Sequence, residues 1–177
     1  SNLVVANTIK NSDIYAGIKG EMEGLNYEAK VAFTSYRNFY FFNNSLSDTT
    51  RFSAIYDSGK TNVMTISGEA GYQFGDLFGT SVKTSFYDYG VSNVEEPWHR
   101  PSFTFSWFNA LTISKKLFIT SEFYTLSGIR GVNFQSGEIR KLKPITDLNL
   151  KIDYLLTRNF SAFVTINNIF GKEYERY

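Results

Sequence analysis

The sequence predicts an all-β fold, an antiparallel up-and-down transmembrane β-barrel. About eight strands are present, and they form part of a larger barrel. Three observations carry that expectation. Apolar and polar residues alternate over eight stretches of about 9–11 residues, the length that crosses a bilayer as a tilted strand. Nearly every charge inside those stretches falls on the polar side of the alternation. The connections are short and long in turn, as short turns on one rim and longer loops on the other demand.

Composition narrows the classes. The 177 residues suit one domain, read here as a single barrel segment over 1–177 taken from a longer barrel. A formal net charge of +1 lacks the basic excess of a nucleic-acid binder. The absence of cysteine removes disulfides, thiolate metal sites and cysteine nucleophiles. Aromatics are heavy, with 17 Phe and 12 Tyr, yet no run nears the ~20 apolar residues of a spanning helix. Residues 1–10 have neither the basic start nor the apolar core of a signal peptide.

The first stretch, 13–22, sets Ile14, Ala16, Ile18, Gly20 and Met22 against Asp13, Tyr15, Gly17, Lys19 and Glu21. In 25–36, Leu25, Tyr27, Ala29, Val31 and Phe33 oppose Asn26, Glu28, Lys30 and Thr34. In 63–74, Met64, Ile66, Ala70, Tyr72 and Phe74 oppose Thr65, Ser67, Glu69 and Gln73. In 80–89, Val82, Thr84 and Phe86 oppose Ser81, Lys83 and Ser85. In 103–113, Phe103, Phe105, Trp107, Leu111 and Ile113 oppose Thr104, Ser106 and Thr112. In 117–125, Leu117, Ile119 and Phe123 oppose Thr120, Glu122 and Tyr124. In 147–156, Leu148, Leu150, Ile152, Tyr154 and Leu156 oppose Asn149, Lys151 and Asp153. In 160–168, Phe160, Ala162, Val164 and Ile166 oppose Ser161, Thr165 and Asn167.

The charges supply the membrane argument. Lys19, Glu28, Lys30, Glu69, Lys83, Glu122, Lys151 and Asp153 share the polar side and are expected to face the lumen. The apolar side carries no charge before Asp88, near a strand end. On a lipid-facing surface at mid-bilayer, a Lys or Arg costs roughly 2–4 kcal/mol. Turn parity agrees. Met22 and Leu25 flank Glu23-Gly24, Ile113 and Leu117 flank Ser114-Lys115-Lys116, and Leu156 and Phe160 flank Thr157-Arg158-Asn159. Each pair is expected to become cross-strand partners. Phe74 and Val82 agree in parity around a connection over 75–81, and the long connections are expected over 43–62, 90–102 and 126–146.

Chemical motifs are sparse. His99, the single histidine, lies in Trp98-His99-Arg100-Pro101 after Glu95-Glu96-Pro97. A multi-histidine metal site is therefore impossible, and the segment reads as a solvated loop with Trp98 anchored at the headgroup level. Ser67-Gly68-Glu69 lacks the nucleophile-elbow pattern, and Ser102 shares one short loop with His99. No catalytic residue, metal site or cofactor is expected. Arg130, Arg140, Lys141 and Lys143, with Glu138 opposing, make a basic loop that reads as solvated, with anionic lipid or an anionic ligand as the functional alternative.

The tail carries a resemblance. Leu150-Lys151-Ile152-Asp153-Tyr154 is followed by an alternating stretch ending in Asn168-Ile169-Phe170, then Lys172-Glu173-Tyr174. This resembles the penultimate hairpin of TonB-dependent receptors, in which a strand ends in an Asn-Leu-Phe-like motif followed by Lys, an acidic residue and Tyr. The likeness covers roughly the last thirty residues. In that family a further strand follows, whereas this sequence stops at Tyr177. The family's plug domain and energy-coupling segment are not recognisable either. A structural role for Asn168, Phe170 and Gly171 (strand end, aromatic belt and turn) is expected rather than ligand contact.

The resemblance implies the barrel of a receptor-like transporter in a Gram-negative outer membrane, passing or taking up an unknown small ligand. Its partners would be outer-membrane lipid and TonB-type coupling machinery, the latter through segments outside this chain. Two other classes remain open: a structural or assembly-scaffold barrel without transport, and a soluble β-domain that binds a ligand or protein.

Overall fold

A computed structural model describes residues 7–44, 52–132 and 136–172. These form ten strands in chain order: β1 (Ile9–Met22), β2 (Leu25–Asn44), β3 (Phe52–Phe74), β4 (Phe78–Gly90), β5 (Phe103–Ile113), β6 (Leu117–Ser127), β7 (Arg130–Val132), β8 (Ile139–Lys141), β9 (Ile145–Thr157) and β10 (Phe160–Ile166). Eight of them make one antiparallel sheet in the order β1-β2-β3-β4-β5-β6-β9-β10. β7 and β8 pair separately as a small second sheet. The large sheet is open, with β1 and β10 as its edges. No described element is a helix long and apolar enough to cross a membrane, which says nothing against crossing by strands.

All eight expected stretches are strands, paired in sequence order. Their short connections share one rim because each joins neighbouring antiparallel strands at the same end. At Glu23-Gly24 both residues take positive φ, 45° and 85°, the backbone that a two-residue hairpin needs to match strand twist. Gly24 O then accepts from Gln73 N at 2.9 Å, tying this turn to β3.

Several expected bounds change. β2 and β3 run on for 20 and 23 residues, so most of the connection expected over 43–62 is a strand ladder, from Phe39↔Asp57 to Asn44↔Phe52. Phe39, Tyr40, Phe41 and Phe42 are good strand formers that lengthen it. A shift between Arg37 and Phe39, with Asn38 at φ 52°, breaks the simple period there. The 75–81 connection contracts to a three-residue turn because Phe74 pairs with Phe78. Met22↔Leu25 and Ile113↔Leu117 pair as the turns require. Leu156 and Phe160 do not pair, because Phe160 meets Thr157 and a bulge then absorbs Leu156. The region between β6 and β9, expected as plain loop, contains the β7–β8 ladder. Glu173, Tyr174 and Tyr177 of the tail lie outside the described residues.

Burial is concentrated at the long-loop end. Phe41, Asp57 and Thr61 are fully buried there, with Trp98, Ile129, Leu142 and Ile145 nearly so. Along the rest of the sheet, large apolar side chains stay exposed: Ile18 at 68%, Phe33 at 56% and Phe86 at 52%. A water-soluble sheet hides such a row against a second layer. Here the second layer is absent among the described residues.

Candidate functional site at the long-loop mouth

The register sorts the two faces without exception for the charged candidates. Across four strands Lys19 opposes Glu28, Glu28 opposes Glu69, and Glu69 opposes Lys83. Lys30 opposes Gly17 and Ser67 on the same face. Farther along, Glu122 opposes Phe108 and Asn149, Lys151 opposes Thr120 and Thr165, and Asp153 opposes Phe118 and Phe163. The other face carries the ladder Ile18↔Ala29↔Gly68↔Thr84↔Phe105↔Thr125 and, in the second half, Leu111↔Ile119↔Ile152↔Val164. Strand alternation has period two, so one aligned pair fixes the side of every other residue in an unshifted ladder.

The charged face has its own internal order. Glu28 and Glu69 sit directly opposite, a repulsive arrangement. Lys83 answers it with Nζ 3.5 Å from the Glu69 carboxylate. Lys151 pairs with Asp153 at 2.9 Å. Lys30 and Lys151 also lie over aromatic rings, 5.6 Å from Tyr15 and 5.9 Å from Phe163. This face is therefore mixed: Tyr15 and Phe163 stand exposed among the charges. Half-exposed pairs of this type set local orientation and contribute little stability.

The mouth is built by three connections that dock on one another. The first junction centres on Asp57. Its Oδ2 accepts from Thr61 Oγ1 at 2.6 Å and Ser92 N at 2.9 Å, and its Oδ1 accepts from Asn93 N at 3.0 Å and Gly59 N at 3.3 Å. Burial pushes this carboxyl upward, but the Thr61 hydroxyl and the three backbone N–H groups outweigh it and hold it below the ordinary carboxylate value. Gly59 is required by close approach, since a Cβ there would lie 2.7 Å from Ser92 Cβ.

From this anchor residues 91–102 run as a strap. Arg100 Nη2 donates to Tyr40 O at 3.1 Å, and its guanidinium lies 5.1 Å from the Phe39 ring and 5.2 Å from the Tyr40 ring. His99 N donates to Arg130 O at 3.0 Å, and Glu96 forms an ion pair with Arg130. β7 also comes into contact with β2, although three strands lie between β2 and β6 in the sheet. Ile129, Leu142 and Ile145 form a small core with Tyr124 and Leu126. Tyr124, Leu126 and Ile145 belong to the charged face by register. The β7–β8 pair is therefore docked on that side of the sheet.

The loop candidates are brought together unevenly. Trp98, expected as a headgroup anchor, is 5% exposed and packs inside the mouth, which corrects that expectation. His99 and Arg100, expected on a solvated loop, are half-buried and engaged with β7 and β2. Arg130 joins this cluster, whereas Arg140 and Lys141 lie on the exposed β8. Asp57 and Thr61 were not singled out by sequence. A lone Asp–Thr pair four residues apart has no period, and its partners at 92 and 93 are visible only after folding.

At the tail, the turn expected at Gly171 is present, while the strand end expected at Asn168 falls earlier. Asn168 and Gly171 take φ 56° and 57°, and Gly171 N donates to Asn168 O at 3.0 Å. Ile169 N reaches Leu148 O, and the Phe170 ring lies 6.3 Å from Phe123. β10 itself ends at Ile166, two residues earlier than expected.

Among the described residues no group of three His, Cys, Asp or Glu is placed to hold a metal ion. No family model matches this chain, and no curated protein matches it in sequence. Its fold is similar to part of a solved structure named copper transporter OprC. The TM-score is 0.68 at 15% sequence identity, over 93% of this chain and 26% of that one. The chain thus spans about a quarter of the length of the protein it matches, and at that identity the likeness is one of fold.

Proposed function

We propose that this chain is a section of the barrel wall of a receptor-like outer-membrane transporter. The observation that carries the reading is the separation of faces. Within the band, the charges of β1, β2, β3, β4, β6 and β9 share one side, and most of the exposed aliphatic side chains occupy the other. In this reading the first side faces a lumen and the second faces lipid.

The height of the apolar band supports it. On β2 it runs from Leu25 to Phe33 and on β3 from Phe74 to Met64. At about 3.3 Å per residue these are roughly 26 and 33 Å along the strands. A tilt near 40° reduces them to about 20–25 Å, close to the ~25 Å apolar band of outer-membrane barrels. Above it, Arg37 opposes Lys60 on the same parity, and Asp88 opposes Met64. Charges thus return where headgroups and water would begin. The open edges β1 and β10 would pair with further strands of the same barrel, which removes unpaired backbone from lipid. Energy coupling through a TonB-type partner belongs to the same proposal.

The donors that select copper are thiolate, thioether and imidazole. This chain has no Cys, one His, and two Met, Met22 and Met64, both on the apolar face. These residues do not make the donor set that would select copper.

Uptake of labelled solutes by cells with and without the gene tests the proposal. Loss of uptake for one solute class, with outer-membrane assembly intact, is the expected result. Unchanged uptake with faulty assembly of other outer-membrane proteins would favour the scaffold function. A monomeric, detergent-free protein would favour the soluble β-domain.

A further inference from the structure

We infer that the contact between the strap 91–102 and β7 is a salt-sensitive latch, the releasable junction of a mouth whose other junction, at Asp57, stays closed. The two junctions are built differently. Asp57 and Thr61 have no exposed surface, and the carboxylate accepts from four donors, three of them backbone N–H groups fixed by the chain path. Charge-assisted bonds sealed from water are shielded from salt.

The strap–β7 junction combines one backbone bond, His99 N to Arg130 O, with a partly exposed ion pair. The Arg130 side chain is 45% exposed and that of Glu96 is 16% exposed. β7 and β8 are three residues each, and an isolated two-stranded ladder is marginal in water. Its register also sets Arg130 directly opposite Lys141, so two cations meet across it and Glu96 offsets them. Removing or screening Glu96 leaves a repelling pair in the shortest ladder among the described residues.

The geometry also shows what release uncovers. A Cβ on Gly131 would lie 3.2 Å from Leu142 Cδ2 and 3.4 Å from His99 Cε1. β7 therefore closes directly on the strap, with Leu142 beneath it. Separation exposes Leu142 and clears space above the charged face. The use of that space by a solute rests on the transporter reading. The latch itself does not, and the measurements below need no solute.

Residue-resolved hydrogen exchange on the otherwise unaltered protein, folded in lipid vesicles, tests the latch. The His99 amide, bonded to Arg130 O, should exchange about two- to fivefold faster when salt is raised to about 1 M, where the screening length falls to about 3 Å. Glu96→Gln should do the same at low salt. The Ser92 and Asn93 amides, bonded to Asp57, should not change. Combining Glu96→Arg with Arg130→Glu should restore slow exchange. As a second measurement, Leu142→Cys in this cysteine-free chain should react with a soluble maleimide faster in the Glu96→Gln background. Equal acceleration at His99 and at Ser92 and Asn93 would overturn the latch, because the mouth would then open as one piece. No acceleration at His99 under either treatment would overturn it as well.

Discussion

Thr61 Oγ1 donates to Asp57 Oδ2 at 2.6 Å, and neither residue has any exposed surface. The pair sits on β3 beyond the apolar band, where the strand meets residues 92 and 93 of the strap. Thr61→Val keeps the shape and removes the donor. Its expected cost is about 1–2 kcal/mol, while Thr61→Ser should cost less. Asp57→Asn turns one acceptor oxygen into a donor facing N–H groups, and should cost about 2–3 kcal/mol. Reversible unfolding from lipid vesicles measures each, and equal stability of Thr61→Val and Thr61→Ser would remove the hydroxyl's role.

The same carboxyl gives a pH dependence with a definite sign. Its pKa is held below the ordinary value, so the folded state binds its proton less readily than the unfolded chain. The stabilisation is complete above the unfolded value of about 3.9, and it is lost as pH falls through the lower folded value. The stability difference between wild type and Asp57→Asn should therefore be constant above about pH 5 and change progressively as pH falls from about 5 through the folded value. A constant difference across that window would contradict the assignment.

Ile152 and Lys151 offer a test of facing with two adjacent residues. Ile152 lies between Ile119 and Val164 on the apolar face, and Lys151 lies between Thr120 and Thr165 on the other. In lipid, Ile152→Arg should cost about 2–4 kcal/mol near the midplane, and Lys151→Arg should be nearly neutral. Heat-modifiable gel mobility and vesicle folding report both. Equal tolerance would favour a water-filled environment on both sides.

Lys83 is the counter-charge of a carboxylate pair. Lys83→Glu would align three glutamates, at 28, 69 and 83, across neighbouring strands. The groups are about half-exposed, so the loss should stay near 1 kcal/mol or less and shrink in high salt. A salt-independent loss of several kcal/mol would point instead to a packing role.

The tail turn gives a local prediction. Asn168 holds φ 56°, a region that Asn and Gly enter readily and β-branched residues do not. Asn168→Gly should be tolerated, whereas Asn168→Val should cost about 1–2 kcal/mol. Matched urea titrations of the two variants decide it.

The strands, their order, the rim of short turns and the side taken by each of the eight charged residues were legible in the sequence. The reason is local. A strand has period two, so Lys19, Glu28 and Lys151 declare their side through their immediate neighbours, and Glu23-Gly24 fixes a register by itself. The mouth was not legible in this way. Asp57 gathers N–H groups from 35 and 36 residues away, Arg100 reaches back 60 residues to Tyr40, and Trp98 is buried by partners from other loops. Such contacts leave no period in the chain. The bulge at Leu156, the long β2–β3 ladder and the small β7–β8 sheet belong to the same group, because each was settled by packing between distant segments, and only the tertiary structure brings those segments together.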